Sequence, residues 1–321
     1  MKKRIQIALP LFVLLYLLAF RFFLEPHSDS HWITYGLVHE MRLFVTPVCV
    51  LGALLSIRNW RFLLAWVGLV ALSLLVIGHP SFGSRPEAAS KTIKILTYNV
   101  SSFEIDKPGA LKVLKESNAD IICLQEACRI GKIKAAGDAL SKELRGYYWT
   151  GAATDLILSR YPLSDEDVLK VPTKWPTKEF PSAVVATPLG PIRVMCVHLE
   201  PSWIAGWPPA FDNTIATLSK VCQDRRAQVD LVLARLRPSK EPVILAGDFN
   251  GPTGSETVNR FGEFFTDSFA ATERGFGYTI LAKMPYKRID YVWVRDLKPM
   301  RSEVVDSVAS DHRPVLTVVS R

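Results

Sequence analysis

The sequence predicts a two-sheet α/β sandwich preceded by N-terminal transmembrane helices. Three observations carry that expectation. Apolar runs crowd the first 80 of 321 residues, short strand-like segments with few helical stretches fill the remainder, and acids, amides and histidines recur at the ends of those strands. Hydrophobic residues make up 49% of the chain, too many for a disordered protein. The formal charge is +8, but residues 1–91 hold nine Lys/Arg against four Asp/Glu, whereas residues 92–321 hold thirty against twenty-seven. The basic excess therefore accompanies the apolar segment and reads as membrane topology, not as a nucleic-acid footprint.

The first run, Ile5 to Phe20, has no charge and only Gln6 as a strongly polar residue. With Arg21 to Leu24 it reaches twenty residues, and at about 1.5 Å each these span roughly 30 Å, the thickness of the hydrocarbon layer. Lys2, Lys3 and Arg4 would also suit a signal peptide, but Leu24-Glu25-Pro26-His27 offers no small-x-small cleavage site. Two further uncharged runs follow, Leu43 to Ile57 and Phe62 to Gly78. A buried soluble hairpin is the rival reading; small residues scattered among Leu and Val, with no polar face, favour the bilayer. The expectation is an anchor over 1–80 with spans near 5–24, 40–57 and 62–79, a linker over 81–91, and a single large domain over 92–321. Lys2, Lys3, Arg4, Arg58 and Arg61 place the N-terminus and the second turn in the cytoplasm. Three crossings then put the domain outside it, a multi-pass placement suited to a bacterial inner membrane.

Within 92–321 the expected strands are Ile93–Val100, Ile121–Gln125, Leu156–Ser159, Ala183–Ala186, Arg193–Leu199, Val243–Ala246, Ile289–Val294, Val304–Val308 and Val315–Val319. Helices are expected over Gly109–Ser117 and Thr214–Leu236, the second amphipathic through Leu218, Val221, Val229, Val232, Leu233 and Leu236. Arg225-Arg226 on that helix reads as part of a solvated face. Five cysteines are too few and too odd in number for a disulfide scaffold, and Cys123 and Cys196 in apolar strands read as buried thiols.

Polar groups punctuate these strands. Asn99 closes Thr97-Tyr98-Asn99-Val100, Glu126 follows Leu124-Gln125, and His198 lies in Val197-His198-Leu199. Asp248 and Asn250 fall in Gly247-Asp248-Phe249-Asn250, Asp290 in Arg288-Ile289-Asp290-Tyr291, and Asp311 and His312 in Ser310-Asp311-His312. Alone, each Asp is as readily a turn former and each His a satisfied core residue. Taken in order, and with Leu158-Ser159-Arg160-Tyr161-Pro162, the series resembles the endonuclease/exonuclease/phosphatase superfamily, the fold of deoxyribonuclease I. The likeness covers about residues 92–320.

The resemblance implies a metal-dependent phosphoester hydrolase. Glu126 is the hard oxygen ligand expected for Mg²⁺, with Mn²⁺ as the alternative ion, and Asn99 and Asp311 would help hold it. Asp248 is expected to orient and deprotonate the attacking water, and Asn250 to hold a phosphate oxygen from an extended segment. Asp290 and His312 resemble the family's carboxylate–imidazole pair. His198 suits protonation of the leaving alkoxide, and a histidine here matches deoxyribonuclease I, sphingomyelinases and many phosphatases. Asp155 departs from many relatives, and an acid beside the cleft would repel phosphate unless it points away.

The expected partners are a phosphoester substrate, favoured as lipid-linked, and membrane lipids; the sequence names no specific protein partner. The aromatic loop Pro201 to Phe211, with Trp203 and Trp207, could dip into a bilayer interface, and Trp175 could join its rim; covering the core is the competing role. An extracytoplasmic nuclease is one alternative, although no dense basic groove supports it. A catalytically dead binding module is the other.

Overall fold

Alternating apolar residues on neighbouring strands fix which faces of a sheet turn inward, and here two sheets do so against each other. The computed structural model describes residues 2–40, 42–173, 177–201 and 211–321. Its strands are β1 (Ile93–Asn99), β2 (Ile121–Gln125), β3 (Tyr148–Ala152), β4 (Asp155–Ser159), β5 (Leu163–Lys170), β6 (Glu179–Thr187), β7 (Gly190–His198), β8 (Val243–Asp248), β9 (Asp290–Arg295), β10 (Lys298–Val304) and β11 (Val315–Ser320). One six-stranded sheet runs β10-β11-β1-β2-β4-β3; the other runs β9-β8-β7-β6-β5, with the two-residue strand Thr266–Asp267 outside β9. Ile93, Ile95, Ile121, Cys123 and Ile157 from the first interdigitate with Ile192, Val194, Cys196, Ile244 and Val292 from the second. The two-sheet α/β sandwich expected from the sequence is the observed architecture.

Each sheet contains one parallel pair, β1–β2 and β7–β8, and the remaining pairs are antiparallel. A parallel pair needs a crossover. Lys107–Ser117 supplies the first and packs Ala110 and Leu114 on the outer face of its sheet, beside Leu96, Ile122 and Leu140. Phe211–Leu236 supplies the second, and Val229, Val232, Leu233 and Leu236 cover the other outer face with Phe249, Phe261 and Trp293. Both crossovers leave the carboxyl ends of their parallel strands at the same end of the sandwich.

Several boundaries differ from expectation. The strand expected at Val304–Val308 ends at Val304 and begins at Lys298, with a register shift between Pro299 and Arg301. Strand β5 and helix Ile133–Glu143 were not expected; β5 is an exposed edge strand whose Ser-Asp-Glu-Asp run lacks alternation, and its pairing with β6 shifts register between Ser164 and Asp167. Arg225 is not on a solvated face: it is fully buried, while Arg226 is half exposed.

The N-terminal region begins with helix Lys2–Ala19, prolonged through Phe20–Leu24 and Glu25–His27, and adds helices Arg42–Leu55 and Trp60–Val76. Leu17, Phe20, Cys49, Trp66 and Leu69 pack among these helices, whereas Phe12, Leu15, Phe22, Phe23, Phe44, Leu55 and Leu64 face outward. Among the described residues one helix, Ile7–His27, is by itself long and apolar enough to cross a membrane. Such a helix near an N-terminus suits both a span and a signal sequence. Trp32–His39 and Phe44–Leu55 reach that measure only together, as a pair bent by 52°, and Trp60–Val76 is short of a full crossing at 17 residues, so the described helices give one candidate span, or two if the bent pair counts as one, where three were expected. Ser81–Phe82 pairs antiparallel with Arg274–Gly275, and Gly83 N–H donates to Glu273 O at 2.8 Å, so this segment lies along the sandwich.

Candidate functional site

The register of β7, β8 and β9 sets three of the expected residues side by side, because His198 pairs with Asp248 and Asp290 pairs with Asp248. Close approach of β7 and β8 requires Gly247, with φ +155°: a Cβ there would lie 1.8 Å from Val197 O. From the opposite sheet, Asn99 ends β1 and Glu126 follows β2 in a left-handed conformation, φ +51°. The Asn99 amide joins the sheets, its Nδ2 donating to Glu126 Oε1 at 3.1 Å and to Asp248 Oδ2 at 3.2 Å. His312 arrives from the loop before β11 and places Nδ1 2.9 Å from Asp290 Oδ2 and Nε2 3.7 Å from Asp248 Oδ2. His198 Nε2 stands 3.7 Å from Glu126 Oε1 and 3.8 Å from Asp248 Oδ2. Glu126, His198, Asp248, Asn250 and His312 line one cleft of about 600 Å³.

Two residues sit differently from expectation. Asn250 is not in an extended segment: with φ +49° its N–H turns back to Asp248 Oδ1 at 2.8 Å, and its Nδ2 donates to Leu199 O at 3.0 Å. This turn fixes the Asp248 carboxylate instead of aligning two side chains along a strand. Asp311 is exposed, and its Oδ1 lies 3.1 Å from Ser310 Oγ, which is 2.8 Å from Asn99 O.

Electrostatics divide the imidazoles from the carboxylates. Burial alone would lower the pKa of His312, but the Asp290 and Asp248 carboxylates pull it up to about 10, so the ring is cationic at neutral pH. For His198, burial and Lys178 push the pKa down, yet the carboxylates of Asp155 and Asp248 raise it overall. Burial raises the pKa of Asp248, against the lowering effect of His312. A raised carboxyl pKa makes a better proton acceptor.

Two residues escaped the sequence reading as contributors. Asp155 is buried, not facing the cleft: its Oδ1 accepts from Glu126 N at 3.2 Å and lies 3.8 Å from His198 Nδ1. The acid that should repel phosphate thus sits behind His198, turned away from the cleft mouth. Lys178 lines the cleft, donates to Leu199 O at 3.0 Å and stands 3.8 Å from Glu200, and burial lowers its pKa. No periodicity marks a lone Lys ahead of a strand; its place between Pro176 and Pro181, on an approach to β6, was the sole signal. The Trp203 and Trp207 loop and Trp175 fall outside the described residues. All five cysteines are free, and Cys123 and Cys196 are buried as expected.

The donor set suits a hard divalent cation. Glu126 keeps 41% of its side chain exposed at the cleft, within reach of the Asn99 amide, so a carboxylate oxygen remains free for an ion and its waters. Ligand atoms of Asp248, Asp290 and His312 also lie within 4.8 Å of one another. The His312–Asp290 contact and the raised imidazole pKa make that trio a charge-paired cluster, since an imidazolium binds no metal. Glu126 is the better seat.

A model of the Endonuclease/Exonuclease/phosphatase family matches residues 96–312. No curated protein sequence matches the chain. Among solved structures, an endonuclease/exonuclease/phosphatase from Beutenbergia cavernae is 18% identical, covering 72% of this chain and 72% of its own at a TM-score of 0.53. A mannosyl-6-phosphatase from Bacteroides thetaiotaomicron is 16% identical, covering 71% and 100% at 0.54. The 3′ phosphatase NExo from Neisseria is 20% identical, covering 70% and 98% at 0.52. At these identities the likeness is one of fold.

Proposed function

The chain belongs to the endonuclease/exonuclease/phosphatase family, and from that membership we propose that it is a membrane-anchored, metal-dependent phosphoester hydrolase. The observation that carries this reading is the convergence of Asp248, the Asp290–His312 pair, His198, Asn99 and Glu126 on one cleft. Phosphate esters resist attack because their oxygens are negative, so a catalyst must neutralise charge, activate water and protonate the leaving oxygen. His312, held cationic by Asp290, binds a non-bridging phosphate oxygen. Asp248, anchored by the Asn250 N–H and the Asn99 amide, accepts the proton of the attacking water. His198, with Asp155 behind it, protonates the departing oxygen, and Lys178 and Asn250 border the phosphate. Glu126, Asn99 and, through the ion's waters, the exposed Asp311 would hold a divalent ion, which would supply Lewis-acid neutralisation of the phosphate charge; Mg²⁺ is favoured, with Mn²⁺ as the alternative.

The domain reading is an anchor over 1–80, a connector over 81–91 and a catalytic domain over 92–321, outside the cytoplasm. The favoured substrate is a lipid phosphate or pyrophosphate. Glu25 and His79, at the ends of the first and third apolar helices, pair at 2.7 Å beside Gly254, and a Cβ on Gly254 would lie 2.4 Å from Glu25 Oε1. Gly254 follows Asn250 by four residues, at most roughly 14 Å of extended chain, so the cleft is tethered near the ends of the apolar helices. The test is hydrolysis by the detergent-solubilised full chain of p-nitrophenyl phosphate, bis-p-nitrophenyl phosphate, short-chain lipid phosphates and single-stranded DNA, with and without Mg²⁺. Release of phosphate or headgroup from the lipid panel, lost in Asp248→Ala and His312→Ala, is expected. Degradation of DNA with an untouched lipid panel points to an extracytoplasmic nuclease, and no turnover of any probe points to a binding module.

A further inference from the structure

Asp29 and Arg225 are 196 residues apart, one in the loop after the first apolar helix and one on the long crossover helix, yet they meet in the interior. Both side chains are fully buried, and Arg225 Nε donates to Asp29 Oδ1 at 2.8 Å. The rest of the guanidinium reaches into the sandwich: Nη1 donates to Glu200 O at 2.6 Å and to Phe249 O at 3.3 Å, and Nη2 to Thr257 Oγ1 at 2.9 Å. Asp29 answers with Oδ2, which accepts Thr257 N–H at 3.2 Å and Thr257 Oγ1 at 3.1 Å, and His39 Nε2 stands 3.5 Å from its Oδ1. The neighbouring Ser28 Oγ accepts Glu256 N–H at 2.8 Å, and Glu256 Oε2 accepts Ser30 Oγ at 2.7 Å. Ser28 and Asp29 thus satisfy the first N–H groups of helix Glu256–Gly262, whose own N-cap residue, Ser255, makes no capping bond.

The carbonyls that Arg225 holds are informative. Phe249 stands between Asp248 and Asn250, and Glu200 is two residues past His198. Between them Leu199 N–H donates to Asp248 O at 2.9 Å, and Leu199 O accepts both Lys178 Nζ and Asn250 Nδ2. One guanidinium therefore pins the backbone just past two neighbouring strands, β7 and β8, which carry His198 and Asp248 on one side of the cleft, and its counter-charge comes from outside the sandwich. We propose that Asp29 and Arg225 are positioning residues: the loop joining the first two apolar helices completes the catalytic cleft by fixing, through Arg225, the backbone that carries His198, Asp248 and Asn250. The anchor is then a working part of the enzyme as well as its tether. This inference rests on the phosphoesterase reading of the cleft.

A purely structural clamp would lower stability and leave turnover by the folded protein alone. A positioning clamp acts on kcat, since a displacement near 1 Å at a reacting group costs about 10²-fold. The test uses the full chain in detergent with Mg²⁺ and p-nitrophenyl phosphate, and compares wild type with Arg225→Lys, which keeps the buried cation but loses the planar fork. A second variant, Asp29→Leu with Arg225→Met, removes both buried charges together and keeps the protein foldable. Leu140→Ala, in the core on the far sheet, is the control for lost stability alone. The expected result is a kcat about 10- to 100-fold lower in both clamp variants with KM within about two-fold, and faster backbone hydrogen exchange at Phe249 and Asn250. Leu140→Ala is expected to retain wild-type kcat and exchange there. Unchanged exchange at those amides, or a kcat loss no larger than that of Leu140→Ala, overturns the inference. A wild type that turns over no probe overturns the proposed function instead, and the exchange comparison still decides the clamp.

Discussion

Two regions of this molecule bury charge, and they do it in opposite ways. At the junction between the N-terminal loop and the sandwich, Asp29 and Arg225 are fully enclosed and spend their polar atoms on Thr257, Glu200 and Phe249. In the cleft, Asp248, Asp290 and His312 crowd together, with Glu126 left half open beside them. Satisfied charge holds the chain in place, and charge left partly unanswered is available for chemistry. If that contrast is right, substitutions in the two regions separate activity from stability.

The largest effect is expected in the cleft. Asp248→Asn should lower kcat by about 10²- to 10⁴-fold, the usual worth of a general base, while a denaturant titration shows stability equal to or above wild type. Chelation by EDTA should abolish hydrolysis with far-UV circular dichroism unchanged, and Mg²⁺ or Mn²⁺ should restore it. At the junction the pattern reverses in stability: Arg225→Ala should cost about 3–5 kcal/mol, because it leaves Asp29 buried without its partner. The double change to Leu and Met should recover most of that loss in the same titration.

A subtler expectation concerns pH. His312 binds its proton more tightly folded than unfolded, with a pKa near 10 against an ordinary 6.5. Its pairing with Asp290 therefore contributes stability that is complete below 6.5 and is lost as pH rises toward about 10. Stability measured across that window should fall in wild type and fall less in His312→Asn. The smallest effect belongs to Asp155→Asn: with one carboxylate removed from His198, the limb of the pH–rate profile assigned to that imidazole should move to lower pH, with a modest change in kcat.

Much of this was legible in the sequence where a pattern repeats. Alternation announced β1, short runs rich in Ile, Leu and Val announced β2, β7 and β8, and each polar residue at their ends falls at the cleft because strands sharing a register end together. Isolated residues were harder. Asp155 and Lys178 carry no periodic signal, and only the fold shows one behind His198 and the other beside Leu199. Arg225 was readable and was misread: it lies four residues from both Val221 and Val229, in phase with the buried stripe, while its neighbour Arg226 is not. Strand β5 hid behind its acids, because the run Ser164 to Asp167 carries a register shift that breaks the alternation a strand with one solvated face would otherwise show.

That acidic edge has a consequence of its own. The outermost strand of a sheet offers unpaired amides and carbonyls to any passing backbone, and copies of one chain crowded together would meet edge to edge. Three acids in a row charge this edge, although Arg193 and Arg235 answer Asp165 and Asp167, and the register slip beside them spoils the straight line a second copy would need. The register slip, more than the charge, sets this border against edge-to-edge growth.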